Sequence, residues 1–396
     1  MDAASLKERM NARIDGLADV LLDVSHDIHE HPELQFEEHH AHDVLTAVLE
    51  REGLAVTRSA YGLATAFDAR AGSTGPTVAI CCEYDALPGV GHACGHNIIA
   101  AAGLGAGLAA AALAEEAGGR VRLLGTPAEE GGAGKVLMAD EGAFAGVDAA
   151  MMVHPSGADL LRMDVIASTF LEVRYRGQAA HAAAFPHKGR NALDAAVLGY
   201  VNVAALRQHI RSTDRVHGIF TRGGDRPNIV PDLTEMEWMV RSARVAGLEP
   251  LRERVVACLR AGADATGCDF EFEVTGRDYA DMVDNPVLLR LYAANASATG
   301  RTLADPHEAR NPVVGSTDMG NISYEVPSIH PMIAVAPASV SIHSHEFTGY
   351  ARGEAGDKAV IDGARAMAMT VADLWSDPVL VDEVKAAFSP PRHDGP

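Results

Sequence analysis

Between Gly89 and Asn97 the chain reads GVGHACGHN, which sets His92, Cys94 and His96 within five positions. Imidazole and thiolate are soft donors that together suit zinc or a neighbouring transition ion. A phosphate cradle is a different chemistry and would need G-x-G-x-x-G, but Cys94 stands where the third glycine is required. Further donors lie elsewhere: Asp85 in EYDALP, the adjacent Glu129 and Glu130 in TPAEEGG, His154 after DAAMMV, and His343 in SIHSHEF. Brought together, Cys94, His96, Glu130, His154 and His343 make a metal site, with Glu129 beside them. A catalytic zinc usually takes three protein ligands and a water, so these five residues exceed one open site and fall one short of two. A bridging Cys94 thiolate closes the gap, because five residues then fill six positions around two ions. Side chains of the neighbours Glu129 and Glu130 diverge at a strand end, so one can bind metal while the other handles protons.

Convergence is the task of the surrounding elements. TVAICC and VRLLGT read as strands, residues 97–117 and 132–141 as helices, and DAAMMV as a third strand. This βαβ rhythm predicts a mostly parallel sheet, in which ligands bind beyond the carboxyl ends of the strands. Asp85, the Glu129–Glu130 pair and His154 each follow one of these three strands directly. From about residue 164 the rhythm changes. A long alternating strand, a helix over 190–211, the strands VHGIFTR and LTEMEWMVRSA, a helix over 248–265 and the strand CDFEFEV give the order β-α-β-β-α-β of a ferredoxin-like unit. Helices over 286–299 and 354–374, with a strand-like MIAVA between them, then complete the first part. The fold expected is α/β: a mostly parallel-sheet metal-binding domain (1–163 and 277–396) interrupted by an inserted ferredoxin-like βαββαβ domain (164–276).

With 396 residues, 47% of them hydrophobic, the chain can bury a large core. Its net charge of −21 is spread rather than run in blocks, which argues against a nucleic-acid partner. The amino terminus carries Leu6, Met10, Ile14, Leu17, Leu21 and Val24 at helical spacing among charges, an amphipathic helix rather than a signal peptide. The most apolar run, residues 98–113, is too short to span a bilayer, so no membrane partner is expected. Five cysteines without a disulfide framework fit a cytoplasmic protein.

The segments HPELQFEE, EYDALPGVGHACGHN, GTPAEEGGAGK, GQAAHAAAFPHKGRNALDAA, NIVPDLTEMEWMVR, GSTDMGN and IHSHEF cover nearly the whole chain. In order and spacing they resemble the metallopeptidase and amidohydrolase family of aminoacylase, glutamate carboxypeptidase and peptidase T, within it the branch of aminobenzoyl-glutamate hydrolase and the indole-acetyl-amino-acid hydrolases. The resemblance implies that Cys94, His96, Glu130, His154 and His343 are the metal ligands, that Glu129 is the general base, and that the insert is a lid and dimerisation domain. It further implies that His181 stabilises the oxyanion from the partner subunit of a homodimer, and that Asn228 and Arg241 grip a substrate carboxylate. Two positions depart from the pattern. Glu83 stands where many relatives outside the branch have the histidine of His-x-Asp, leaving Asp85 to orient a ligand from behind. Asn97 stands where many relatives within the branch have aspartate.

The expected reaction is hydrolysis of an amide by water activated between two divalent ions, with Glu129 moving the proton and His181 stabilising the oxyanion. The expected substrate is a small molecule: an N-acyl amino acid, an aminobenzoyl-glutamate-like conjugate or a small dipeptide. Thiolate and imidazole favour zinc, with manganese, cobalt or nickel as alternatives. Two other readings compete: a thiol hydrolase with Cys94 as nucleophile and His96 as base, and a non-catalytic metal-binding protein of the same fold. Among the other candidates, His92 is an alternative ligand, and His345 alternates with His343 and should point away. Histidines 29, 31, 39, 40 and 42 read as solvated and Asp318 equally as a positioning or a turn residue; a turn histidine is the alternative for His181, and an ordinary surface arginine that for Arg241.

Overall fold

The computed structural model describes residues 2–306 and 314–389. The described residues form two compact units, one from 2–164, 282–306 and 314–389, the other from Val165–Asp281. The first begins with helix α1 (Ala3–Glu30), whose apolar stripe from Leu6 to Ile28 is buried and whose start is capped by Asp2 accepting from the Ser5 amide. Helix α2 (His39–Arg51) follows, then strands β1 (Ala55–Arg58), β2 (Phe67–Ala71) and β3 (Thr77–Cys82). After β3 come helix α3 (His96–Ala111), β4 (Arg120–Gly125), helix α4 (Gly134–Asp140), β5 (Ala149–Met151) and β6 (His154–Ser156). The helix expected over 97–117 ends at Ala111, and a separate turn of helix covers Ala114–Ala117.

The second unit contains β7 (Ala167–Arg176), α5 (Ala192–Leu206), β8 (Arg215–Arg222), β9 (Leu233–Ser242), α6 (Val245–Thr266) and β10 (Asp269–Tyr279). Its antiparallel sheet has the order β10-β7-β9-β8, the fourth-first-third-second arrangement of a ferredoxin-like fold. Alternate residues of β7 and β9 face inward, so Leu171, Val173, Tyr175, Trp238 and Val240 form the core beneath α5 and α6. β10 runs to Tyr279, past the Gly276 at which the sequence signal fades.

The chain returns to the first unit through α7 (Pro286–Ala298), β11 (Ser328–Ile329), β12 (Met332–Ala334), α8 (His345–Ala351), the long α9 (Glu354–Ser376) and α10 (Pro378–Ala386). The main sheet has the order β1-β2-β4-β3-β5-β11. Its last four strands are parallel, while β1 and β2 add an antiparallel edge. In the parallel part Cys82 of β3 pairs with Gly125 of β4, and Ile80 with Met151 of β5, so three strands end on one edge. Helix α3 is buried on all sides and rich in alanine and glycine. A Cβ added at Gly107 would lie 2.1 Å from Leu123 Cδ2, and one at Gly105 2.7 Å from Leu21 Cδ1, so only bare backbone lets α3 fit between β4 and α1. No helix among the described residues is long and apolar enough to cross a membrane.

Candidate metal centre

The edge where β3, β4 and β5 end supplies most of the candidate residues. Asp85 follows β3, Glu129 and Glu130 follow β4, and His154 opens β6, which pairs in parallel with β12. His96 is the first residue of α3, entered through Gly95 at φ +79°, where a Cβ would meet Pro155 Cγ at 2.9 Å. The turn carrying the glutamate pair contains Ala128 at φ +59°, a left-handed conformation unusual for a residue with a Cβ. Buried Glu38 holds that turn: its carboxylate accepts from the Ala128 amide at 2.8 Å and from Thr65 Oγ1 at 2.9 Å. His343 has φ +65°, and its amide donates to the Ala93 carbonyl at 2.8 Å, which ties it to the Cys94 segment.

Asp85 orients two candidates at once. Its Oδ1 is 2.9 Å from His96 Nδ1 and its Oδ2 accepts from the Glu130 amide at 2.9 Å. A carboxylate on Nδ1 fixes that nitrogen as the protonated one, so the Nε2 lone pair is free to bind metal. His154 is set likewise, with Nδ1 2.7 Å from the Pro155 carbonyl and Nε2 3.4 Å from Cys94 Sγ. Around His96 Nε2 stand Glu83 Oε2 at 3.6 Å, Glu130 Oε1 at 3.7 Å and Glu129 Oε2 at 3.9 Å, while His343 Nε2 is 3.6 Å from Glu130 Oε1.

These spacings are those of ligands around a shared ion. Two donors each bound at about 2.0–2.3 Å lie roughly 3.3–4.0 Å apart at tetrahedral or trigonal angles. Three overlapping groups have their donor atoms within 4.8 Å of one another: Cys94, His96 and His154; Cys94, Glu130 and His343; and Glu83, His96 and Glu129. Cys94 is common to the first two. Buried His96 Nε2 and Glu130 Oε1 have no hydrogen-bond partner of good geometry, an arrangement costly to maintain unless a cation meets both. The site therefore fits divalent metal. His343 is the most open of the donors, its side chain half exposed.

Electrostatics agree with that fit. Burial, then the nearby carboxylates of Glu83, Glu130 and Asp318, raises Glu129 well above the ordinary glutamate range. Burial and the neighbouring His96 push His154 down to about 4, so it is a neutral imidazole. Burial, reinforced by Glu130, raises the Cys94 thiol. A cation reverses each of the anionic penalties.

The structure thus brings together Asp85, Cys94, His96, Glu129, Glu130, His154 and His343. His92 is buried too, but it belongs to none of the three donor groups. His42, expected to be solvated, is 6% exposed and lies beside the Phe67 ring. Two supports were missed at the sequence level. One is Glu38; the other is Lys135, whose buried Nζ sits 2.5 Å from Glu83 Oε1 and 2.6 Å from Asp318 Oδ1. A lone lysine in the glycine-rich EEGGAGK was the available signal.

His181, Asn228 and Arg241 lie in the second unit. His181 Nδ1 accepts from the amides of Ala183 and Ala184 at 3.2 and 3.1 Å, a local turn, and the Ala182 amide donates to the Asn228 carbonyl at 3.0 Å. Arg241 is half-buried on β9, opposite Ser168 and Arg215. Asn228 precedes the Leu233 end of β9, whereas Arg241 is next to its other end. At about 3.3 Å per residue the strand alone separates those ends by roughly 26 Å.

Residues 79–373 match the model of the peptidase family M20/M25/M40. Over 397 residues the chain is 39% identical to the Xaa-Arg dipeptidase of Mus musculus, covering 97% of this chain and 92% of that protein. It is 29% identical to one of the subunits of the p-aminobenzoyl-glutamate hydrolase of Escherichia coli K12, covering 91% and 90%. Its fold is like the crystal structure of a Bacillus subtilis protein described as a dinuclear metal binding peptidase of the M20 family, with a TM-score of 0.70, 21% identity, and coverage of 91% of this chain and 99% of that one.

Proposed function

The chain belongs to the peptidase family M20/M25/M40, and we propose that within it this protein is a dinuclear metal-dependent amide hydrolase of small dipeptides or N-acyl amino acids. One observation carries the reading: donor atoms of Cys94, His96, Glu130, His154 and His343 gather in overlapping groups linked through Cys94, and two of the buried donors have no other partner. Their chemistry favours zinc, with manganese, cobalt or nickel as alternatives. Likeness to an Xaa-Arg dipeptidase across nearly the whole chain favours a dipeptide over an aminobenzoyl-glutamate-like conjugate.

When bound, the ions would lower the pKa of a coordinated water and polarise the scissile carbonyl. The rest falls to the chain. Asp85 fixes His96 and the Glu130 backbone in one geometry, and the Pro155 carbonyl does the same for His154. Glu129, beside the donors, takes the proton of the attacking water at its carboxylate and returns it to the leaving amine. A thiol mechanism is poorly supported, because burial raises the Cys94 thiol away from the thiolate that a nucleophile needs. The second unit acts as lid and dimerisation domain, residues 164–276 by the sequence pattern, with His181 donated to the partner's site to stabilise the oxyanion. The separation of Asn228 from Arg241 supports this: one small substrate touched by both needs two copies of the chain. Five free cysteines fit a cytoplasmic setting.

The glutamate pair tests the assignment. Glu129→Gln should retain about two ions per chain while kcat on a panel of dipeptides and acyl amino acids falls by roughly two to four orders of magnitude. Glu130→Gln should lose metal first. The reversed pattern would exchange the two roles, and full activity in both variants would remove the site from the chemistry.

A further inference from the structure

Glu83 has no task in that mechanism, yet it is among the most constrained side chains of the molecule. Its side chain is fully buried, with Oε1 paired to Lys135 Nζ at 2.5 Å. Lys135 is equally buried and cannot turn away, because Asp318 takes its Nζ at 2.6 Å and its backbone amide at 2.8 Å. Two carboxylates thus share one ammonium, which leaves an excess of one negative charge in a dry pocket. The second oxygen of Glu83 shows where that charge points. Oε2 accepts no hydrogen bond and lies 3.6 Å from His96 Nε2, the spacing at which Glu130 stands from the same nitrogen at 3.7 Å. Its donor atom groups with those of His96 and Glu129.

A residue serving only to neutralise Lys135 would have no reason to present a bare oxygen to a metal-facing imidazole, because Asp318 already takes the ammonium through Oδ1 and holds the lysine backbone amide through Oδ2. We propose that Glu83 is a further carboxylate ligand of the ion held by His96, and that Lys135 and Asp318 are positioning residues that fix its free oxygen. This rests on the dinuclear reading of the site. It also makes the two positions unequal. Five ligands with a shared Cys94 fill six positions, three per ion, and Glu83 adds a seventh. The ion at His96 then has four protein ligands, the number typical of closed and tightly held zinc, while the other keeps an open place.

Dialysis of the full-length protein against graded chelator, followed by elemental analysis, reads the difference. The wild type should release one ion well before the other. In Glu83→Gln the tighter ion should bind at least about 100-fold more weakly, beyond the 10–100-fold usual for a residue that only supports a ligand, and cobalt-loaded protein should change its visible absorption as an oxygen donor is lost. The double variant Glu83→Gln/Lys135→Met removes both charges and separates ligand from counter-ion. If Glu83 only balances Lys135, the double variant regains wild-type affinity, which would overturn the proposal. Should Glu83→Gln fail to fold, Glu83→Asp keeps the charge beside Lys135 while shortening the reach toward His96. Metal binding in Glu83→Asp as tight as in wild type would equally refute the proposal. A wild-type protein holding no more than one ion would instead overturn the dinuclear reading itself.

Discussion

Replacing Glu38 by glutamine should make the metal-free protein more resistant to alkaline pH. The Glu38 carboxylate is buried, and burial followed by the nearby Asp85 carboxylate raises it from 4.5 to about 7. A group raised on folding gives its full contribution below its unfolded pKa and loses it as pH climbs through the folded one. For Glu38 that window runs from about 4.5 to about 7. At about 1.4 kcal/mol per pH unit the rise from 4.5 to about 7 amounts to at most roughly 3.5 kcal/mol. Glutamine is uncharged throughout. Its carbonyl can still accept from the Ala128 amide, and the Thr65 hydroxyl can turn to accept from its NH₂ group. Urea unfolding of chelator-treated protein at several pH values from 4.5 to 8 is the measurement. The variant should gain on the wild type by up to about 3.5 kcal/mol across that range. A difference between the two that stays constant with pH would refute the reasoning, because Glu38 would not be titrating in the fold.

Two further outcomes are expected. Cys94→Ala should lose metal and activity together, whereas Cys258→Ala, on α6 of the other unit, should keep both; a fully metallated and active Cys94→Ala protein would sink the bridging thiolate. Mixing inactive His181→Ala with inactive Glu129→Gln should restore part of the activity after subunit exchange, because one site of each mixed dimer joins an intact Glu129 to an intact partner histidine. If exchange is demonstrated and no activity returns, His181 serves its own chain or only its turn.

Much of this architecture was legible because it rests on local pattern. TVAICC is a strand with every residue buried, and the alternation along β7 and β9 matches a sheet with one covered face. The rule that ligands gather beyond parallel strand ends was enough to select Asp85, Glu129, Glu130 and His154. Other features depend on distant partners and left no local trace. Strand β1 is short and largely exposed, with no apolar alternation to announce it. Lys135 is buried because Asp318, 183 positions away, comes to meet it. Glu38 looks like a solvated helix-start residue until the turn at Ala128, 90 positions later, needs an acceptor. His42 faces inward because α2 packs near β2, a tertiary fact that its polar neighbours conceal.

The helix that begins at His96 gives the centre a remote handle. Gly107 sits eleven residues further along, roughly 16 Å at helical rise, and has no room for even a methyl group against Leu123. A rod wedged that tightly transmits displacement rather than absorbing it. Alanine at position 107 must therefore slide α3 or push Leu123 aside, and sliding would carry His96 with it. Where α3 slides, the position of His96 is then set from the core, without altering any donor, by the fit of a helix flank against Leu123.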